Sequence, residues 1–154
     1  MEFFIQTRVY LEDSDAQGIV YYVNYLKFME RARTEFLREL GFDFQQLQEQ
    51  QGHFVVHSLD VRYLKPARVD DNLKITVSTL KAARTYVVFS QKVYRDVALS
   101  EEKNSGKDEE LLCIGTVKVA CVNSDTGRPM AMPTLVANAF SGQCLGRLLE
   151  ERAE

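Results

Sequence analysis

The chain has 154 residues, of which 45% are hydrophobic and 27% charged, and its formal net charge is -3 at pH 7. These values are typical of a single soluble globular domain spanning residues 1–154, and they argue against a nucleic-acid partner, which usually requires a basic surface. No stretch approaches the roughly 20 apolar residues that cross a bilayer, and the N-terminus lacks the basic start of a secretory signal. We therefore expect a cytoplasmic protein without a membrane span.

The first predicted elements are a strand and a long helix. Phe3 to Tyr10 alternates apolar and polar residues, which predicts a half-buried strand. From Asn24 to Leu40 apolar residues recur at intervals of three and four, which predicts one amphipathic helix. Asn24 suits the N-cap position and Gly41 suits the position just past the last turn.

Strands dominate the rest of the chain. A glutamine-rich connector, read as a short helix or a loop, leads into alternating segments. Pro66 marks the end of the first of them because it cannot donate to a sheet ladder. We expect an exposed hairpin tip between Asp96 and Glu110 and a closing strand or helix after Pro133. The four predicted strands are His53–Leu64, Leu73–Leu80, Thr85–Arg95 and Leu111–Val122.

This order of elements predicts an α+β fold in which an antiparallel β-sheet of five to six strands wraps around one long α-helix. The sheet and the helix each have one apolar face, and neither can bury that face alone. A sheet of this kind leaves its edges unpaired, and small proteins often pair such edges across a dimer. We therefore expect a homodimer or a homotetramer.

Neither the cysteines nor the common catalytic and binding motifs indicate a metal or cofactor site. Cys113, Cys121 and Cys144 lack the close spacing of zinc ligands. Cys113 and Cys121 fall in one predicted strand, about 26 Å apart at roughly 3.3 Å per residue, which excludes a disulfide between them. We expect reduced thiols that pack as small hydrophobic residues. Because P-loop, G-x-G-x-x-G, H-E-x-x-H and G-x-S-x-G motifs are absent, we predict no cofactor and no metal.

The stretch D-S-D-A-Q-G-I-V-Y-Y-V-N, which begins at Asp13, is the candidate site. It joins a strand to the start of the long helix, where backbone N–H groups lack partners and can stabilise an oxyanion. Gly18 would allow a substrate to approach the backbone closely, and Asp15 could act as a nucleophile or a general base. The alternative is that Asp13 and Asp15 only cap the turn through their side chains.

Two runs of residues carry a family resemblance. The run E-D-S-D-A-Q-G-I-V-Y-Y-V-N-Y-L-K-F-M-E-R-A-R-T-E-F-L, from Glu12 to Leu37, resembles the signature of the hotdog-fold acyl-CoA thioesterases of the 4-hydroxybenzoyl-CoA thioesterase superfamily, especially the small bacterial thioesterases associated with the Tol-Pal system. The run Y-L-K-P-A-R-V-D-D, from Tyr63 to Asp71, is similar to the family's turn between its second and third strands.

The resemblance implies roles for individual residues. Asp15 corresponds to the catalytic aspartate, and the amides from Tyr22 to Asn24 correspond to the group that polarises the substrate carbonyl. Many Tol-Pal-associated relatives have histidine where this chain has Tyr22, so histidine-assisted proton transfer is not expected at that position.

The implied reaction is hydrolysis of an acyl-CoA to the free acid and coenzyme A, at an active site between subunits. The coenzyme phosphates need cations, and Arg68 and Arg84 are the first candidates, followed by Lys81 and Arg128. Each of these could equally be a solvated surface charge. Two alternatives remain, a non-catalytic acyl-CoA-binding module on the same fold and a thioesterase that acts on acyl carrier protein. The acyl group is not predicted.

Overall fold

The computed structural model describes residues 2–97 and 108–141, and its regular elements follow the predicted order. The predicted bounds of the long helix and of the five strands differ from the observed ones by at most two residues. The elements are β1 (Phe3–Arg8), a 3₁₀ helix (Leu11–Asp13), α1 (Asn24–Glu39), α2 (Phe44–Glu49), β2 (Gly52–Tyr63), β3 (Asn72–Ala82), β4 (Tyr86–Asp96) and β5 (Glu109–Asn123).

The five strands form one antiparallel sheet in the order β1-β3-β4-β5-β2. In the pairing of β1 with β3, Phe3 lies opposite Val77 and Arg8 lies opposite Asn72. The predicted fold, an antiparallel sheet with one long helix against it, is confirmed. This order leaves β1 and β2 at the edges of the sheet, so each has a row of backbone groups without a partner strand among the described residues.

Backbone contacts divide the chain into two compact units, and several strands contribute residues to both. Most of α1 and the candidate site lie in the first unit, whereas α2 lies in the second. Within the described residues, the first unit is drawn from Met1–Phe36, Val61–Val77 and Gln91–Gly115, and the second from Leu37–Asp60, Ser78–Ser90 and Thr116–Glu154.

In the first unit, the apolar face of α1 packs on the strands. Phe28 and Met29 are almost fully buried, and burial of each such side chain stabilises the fold by roughly 1.5–3 kcal/mol. The ring of Phe36 lies 5.4 Å from that of Phe3 on β1. On β5, Gly115 has no side chain, which lets Met29 approach the strand closely: a Cβ there would lie 3.0 Å from the Met29 Cε and Sδ atoms.

A buried amide also links α1 to the sheet in the first unit. Gln91 on β4 is completely buried. Its Nε2 donates to the Met29 carbonyl at 2.9 Å, and its Oε1 accepts from Arg33 Nη1 at 2.8 Å. Because a buried amide costs free energy unless it is hydrogen-bonded, these bonds favour one placement of the helix on the sheet.

In the second unit, capping interactions are present at the end of α1 and at the start of α2. Gly41 has φ +98°, and the N–H of the next residue, Phe42, donates to the Leu37 carbonyl at 3.0 Å. This arrangement is a Schellman motif, so the prediction for Gly41 is confirmed. Asp43 and Gln46 form a reciprocal capping box, and the connector is therefore a short helix.

The tail and the hairpin tip are described only in part. Residues 134–141 are helical, so the helical alternative holds for that part of the tail, and the Phe140 ring packs 5.6 Å from Phe89 on β4. The remainder of the tail, with Cys144, and residues 98–107 of the predicted hairpin tip lie outside the described residues. Across the parts of the chain that are described, no helix is both long and apolar enough to cross a bilayer.

Cys113 and Cys121 are free and buried, as predicted. Burial raises the pKa of the Cys113 thiol to about 12. At neutral pH this thiol is therefore protonated and a poor nucleophile.

We predict that Gly115→Ala lowers the free energy of unfolding by about 1–2 kcal/mol, because the new methyl group would press on a Met29 side chain that is fully buried and has little room to move. Urea denaturation measures the change. The matched control is Gly52→Ala, another buried strand glycine, whose Cβ would meet its nearest atom, Cys121 Sγ, at 3.5 Å. That change should be neutral or stabilising by up to about 1 kcal/mol. Equal losses in both variants would contradict the packing argument.

Candidate active site

The loop between β1 and α1 folds back on itself as a small hairpin. Ser14 pairs with Val20 in an antiparallel bridge. The Asp15 N–H donates to the Ile19 carbonyl at 2.9 Å, and the Gly18 N–H donates to the Asp15 carbonyl at 3.1 Å. Gly18 has φ +77° with no atom within 4 Å of the place of a Cβ. The backbone conformation therefore requires glycine here, and the space beside it is open.

Both aspartates of the loop cap turns. Asp13 Oδ2 accepts from the Tyr10 N–H at 2.8 Å, and Asp15 Oδ1 accepts from the Gln17 N–H at 2.8 Å. Asp15 is exposed, and among the described residues its Oδ2 has no hydrogen-bond partner. The turn contact fixes the orientation of the Asp15 carboxylate and leaves one oxygen available for chemistry. Capping and catalysis are therefore compatible at this residue.

Asn24 has a different role from the predicted N-cap. It is the first residue of α1, and within the described part of the chain its side chain makes one hydrogen bond, which runs to the preceding loop and not to the helix. Asn24 Nδ2 donates to the Asp13 carbonyl at 2.9 Å, and the Asn24 N–H donates to the Tyr21 carbonyl at 2.8 Å. The N-cap prediction is wrong because the buried amide bonds back to the preceding loop. Since both donors are engaged, Asn24 positions the loop and does not offer its own N–H to a substrate.

Backbone N–H groups without a partner lie at the start of α1. Those of Tyr22 and Val23 have no hydrogen-bond partner within the described residues. They precede the first helical turn, where the aligned peptide dipoles give a partial positive charge. The Tyr22 carbonyl accepts from the Tyr63 hydroxyl at 3.0 Å. These two amides are therefore available to receive a developing negative charge.

The turn after β2 supports the hairpin loop. The Val20 N–H donates to the Ala67 carbonyl at 2.9 Å, and Arg68 pairs with Ile19 in an antiparallel bridge. The Ala67 N–H in turn donates to the Tyr25 hydroxyl at 2.9 Å, and burial raises the pKa of that hydroxyl. This pairing brings the exposed Arg68, a predicted coenzyme A ligand, next to the loop that contains Asp15.

A charge network that the sequence analysis did not identify holds this turn. Arg95 on β4 donates to Asp71 Oδ2 at 2.8 Å and to Glu110 Oε2 at 3.1 Å. Asp71 Oδ2 also accepts from the Arg68 N–H at 2.8 Å. The hydrogen bond from Lys65, together with the charge of Arg95, lowers the pKa of Glu110. No local sequence signal marks Arg95, because only the strand order brings β4 to this turn.

The remaining predicted cations lie elsewhere. Arg84 follows β3 in the second unit, where its carbonyl accepts from the Met132 N–H at 2.9 Å. Lys81 Nζ lies 5.4 Å from the centre of the Tyr86 ring, and Arg128 follows the turn after β5. Asp15, Gly18, Tyr22, Asn24 and Arg68 therefore all lie in the first unit, whereas Arg84 belongs to the second. Among residues 2–97 and 108–141, no group of three or more acidic, histidine or cysteine side chains is suited to hold a metal ion.

Comparison with known proteins identifies the family. Residues 9–140 match the sequence pattern of the thioesterase-like superfamily. The chain belongs to the thioesterase-like superfamily. It is 40% identical over 139 residues to the acyl-CoA thioesterase YbgC of Haemophilus influenzae, an alignment that covers 90% of this chain and 93% of the relative. The predictions of the superfamily and of a thioester hydrolase are thereby confirmed.

Solved structures of other proteins confirm the hotdog fold of this thioesterase-family chain. A probable thioesterase from Bartonella henselae is 29% identical with a TM-score of 0.69, and the match covers 86% of this chain and 98% of that one. A Staphylococcus aureus protein solved in complex with CoA has a TM-score of 0.82 at 14% identity, with coverage of 94% and 85%. At that identity the second match supports the fold alone.

Proposed function

We propose that this protein is an acyl-CoA thioesterase that hydrolyses its substrate to the free acid and coenzyme A, with Asp15 as nucleophile or general base. One observation carries the proposal. An exposed carboxylate with an unbonded oxygen lies in the same short loop as two backbone N–H groups without partners at the start of α1. The similar YbgC proteins of other bacteria are acyl-CoA thioesterases by name. We regard residues 1–154 as one thioesterase domain, because the family match extends over residues 9–140.

The proposed chemistry uses the two groups on opposite sides of the thioester. The carbonyl oxygen points to the N–H groups of Tyr22 and Val23, which stabilise the oxyanion that develops during attack. In the nucleophilic route, Asp15 forms an acyl anhydride and expels the coenzyme A thiolate, and water then hydrolyses the anhydride. In the general-base route, Asp15 takes a proton from the attacking water. Gly18 and Asn24 hold the loop in the required shape.

We predict that Asp15→Asn reduces thioester hydrolysis by about 100-fold or more, because the amide is neither a nucleophile nor a base of comparable strength. Release of free thiol from a panel of short-chain, long-chain and aromatic acyl-CoAs measures the rate. The matched control is Glu12→Gln, the same change of acid to amide at an exposed position three residues earlier, which should retain wild-type rates.

The same panel, extended by binding measurements and by the same acyl groups on acyl carrier protein, separates the two alternative functions. If wild type binds acyl-CoA but hydrolyses no thioester, the protein is an acyl-CoA-binding module and the thioesterase proposal fails. If wild type hydrolyses acyl groups on acyl carrier protein faster than the same groups on coenzyme A, the carrier in the proposal is wrong. A folded Asp15→Asn variant with full activity would remove Asp15 from the mechanism.

Arg68 is the stronger of the two proposed coenzyme A ligands. It is exposed and lies opposite Ile19 in the bridge to the Asp15 loop, whereas Arg84 belongs to the second unit. Its side chain could reach a phosphate of coenzyme A while the thioester lies at the loop. Arg84 remains a weaker candidate for the same role.

We predict that Arg68→Ala raises KM for acyl-CoA by about three- to tenfold, because one charge-assisted contact to a phosphate is lost. The control substrate is the N-acetylcysteamine thioester of the same acyl group, which has no phosphates. Its kcat/KM should not change in the variant. An equal loss with both substrates would show that Arg68 acts on the loop and not on the coenzyme.

We also propose a homodimer or a homotetramer. The edge strand β2 exposes several large apolar side chains, each to more than 40%, which are Val55, Val56, Leu59 and Tyr63. An edge strand with exposed apolar residues is suited to pair with the same strand of a second copy. The cytoplasmic location stays a prediction.

We predict that Leu59→Glu weakens or abolishes the oligomer, because two copies of the strand would bring like charges together at the edge. Light scattering coupled to size-exclusion chromatography measures the mass. The control is Leu80→Glu, which introduces the same charge at a leucine of similar exposure, 47% against 45%, on β3, outside the strand that is proposed to pair. A monomeric wild type, or identical behaviour of the two variants, would contradict β2 pairing.

A further inference from the structure

Tyr63, the last residue of β2, reaches the backbone of the active-site loop. Its hydroxyl donates to the Tyr22 carbonyl at 3.0 Å, across 41 residues of sequence. Tyr22 precedes Val23, whose backbone N–H has no hydrogen-bond partner among the described residues. The hydrogen bond therefore ends on the same peptide unit that provides the Val23 N–H.

The geometry of the peptide bond connects this contact to the Val23 amide. In a planar trans peptide, the C=O and the N–H of one unit point in opposite directions. With its carbonyl directed at the Tyr63 hydroxyl, the peptide between Tyr22 and Val23 must direct its N–H away from Tyr63. A hydrogen bond to the carbonyl also polarises the unit, and the N–H becomes a better donor.

The neighbouring peptide is fixed in the same way. The Tyr21 carbonyl accepts from the Asn24 N–H at 2.8 Å, which orients the Tyr22 N–H of that unit. Each of the two available amides is thus held through the carbonyl of its own peptide. One of these carbonyl contacts is local to the helix start, whereas the other depends on Tyr63 from a distant strand.

The residues around Tyr63 fix its ring, and its hydroxyl stays protonated and able to donate. Its ring packs at 5.4 Å from Tyr25 and at 6.2 Å from Tyr22. The Tyr25 hydroxyl is in turn anchored by the Ala67 N–H. Desolvation raises the pKa of the Tyr63 hydroxyl, so it keeps its proton throughout the neutral range.

We propose that Tyr63 is a positioning residue for thioester hydrolysis, which aims and polarises the Val23 N–H at the substrate carbonyl by holding the Tyr22 carbonyl. This inference rests on the proposed function of the Asp15 loop. It assigns to β2 a part in the reaction that differs from substrate binding, and it gives the Tyr63 hydroxyl a specific role within this cluster of tyrosines.

Tyr63→Phe removes the hydroxyl and keeps the ring. We expect kcat to fall by about tenfold and KM to stay within about twofold. The loss of kcat is smaller than the 10²–10³-fold typical of removing an oxyanion donor, because the Val23 N–H is misdirected and not removed. The matched control is Tyr94→Phe on β4, which removes a hydroxyl that has no hydrogen-bond partner among the described residues. Its kcat and KM should equal those of wild type.

A spectroscopic measurement tests the contact independently of turnover. The ¹³C chemical shift of the Tyr22 carbonyl should move upfield in Tyr63→Phe and stay constant in Tyr94→Phe. If Tyr63→Phe does not fold, 3-fluorotyrosine at position 63 replaces it. The more acidic phenol is a stronger donor, so the same carbonyl signal should move downfield.

Each result decides the inference. If Tyr63→Phe raises KM and leaves kcat unchanged, Tyr63 is a substrate contact. If the variant has wild-type kinetics and a lower melting temperature, the role of Tyr63 is structural. Either result overturns the positioning role. An unchanged carbonyl shift would overturn it as well. Asp15→Asn, assayed in parallel, keeps the two proposals distinct. If that variant is inactive while Tyr63→Phe is fully active, only the role of Tyr63 fails. A wild type without thioesterase activity would overturn both.

Discussion

The site depends on the Asp13 carbonyl oxygen, which accepts two hydrogen bonds from residues that follow it by eight and eleven positions. The Tyr21 N–H donates to it at 3.0 Å and Asn24 Nδ2 donates at 2.9 Å. Together these bonds fix the start of α1 relative to the loop that holds Asp15. They occupy the Tyr21 N–H and the Asn24 side chain, while the Asn24 N–H donates to the Tyr21 carbonyl, which leaves the N–H groups of Tyr22 and Val23 available. The carbonyl groups of Asp13 and Tyr21 thereby act together to leave these N–H groups open to a substrate.

Rigid surroundings support this exposed site. The buried Gln91 ties α1 to the sheet, and the Arg95 network holds the turn that pairs with the loop. Partly buried ion pairs add little net stability, because desolvation offsets much of the attraction, but they disfavour other arrangements of the turn. A carboxylate on a loop can be placed accurately only when its supports are themselves fixed. Asp15 can therefore remain accessible to solvent without losing its orientation.

The periodicity of apolar residues was sufficient to predict the long helix and the strands. The spacing of Phe28, Met29 and Phe36 identified α1 because a helix buries one stripe, and alternation identified the strands because successive side chains point to opposite faces. Asn24 shows the limit of local rules. Its residue type suits an N-cap, but tertiary burial turned its amide towards Asp13. Family resemblance located the loop, whereas the contacts of Asp15 within it required the structure.

The sequence by itself determined the order of the helices and strands, the apolar face of α1 and the candidate loop around Asp15, since each depends on residues close together in the chain. Only the tertiary structure decided that Tyr63 reaches Tyr22, that Arg95 supports the turn at Asp71 and that Arg68 lies beside Ile19 while Arg84 lies in the other unit. Those contacts join segments separated by 24 to 49 positions in the sequence. They follow from strand order and from side-chain reach, neither of which has a local signature.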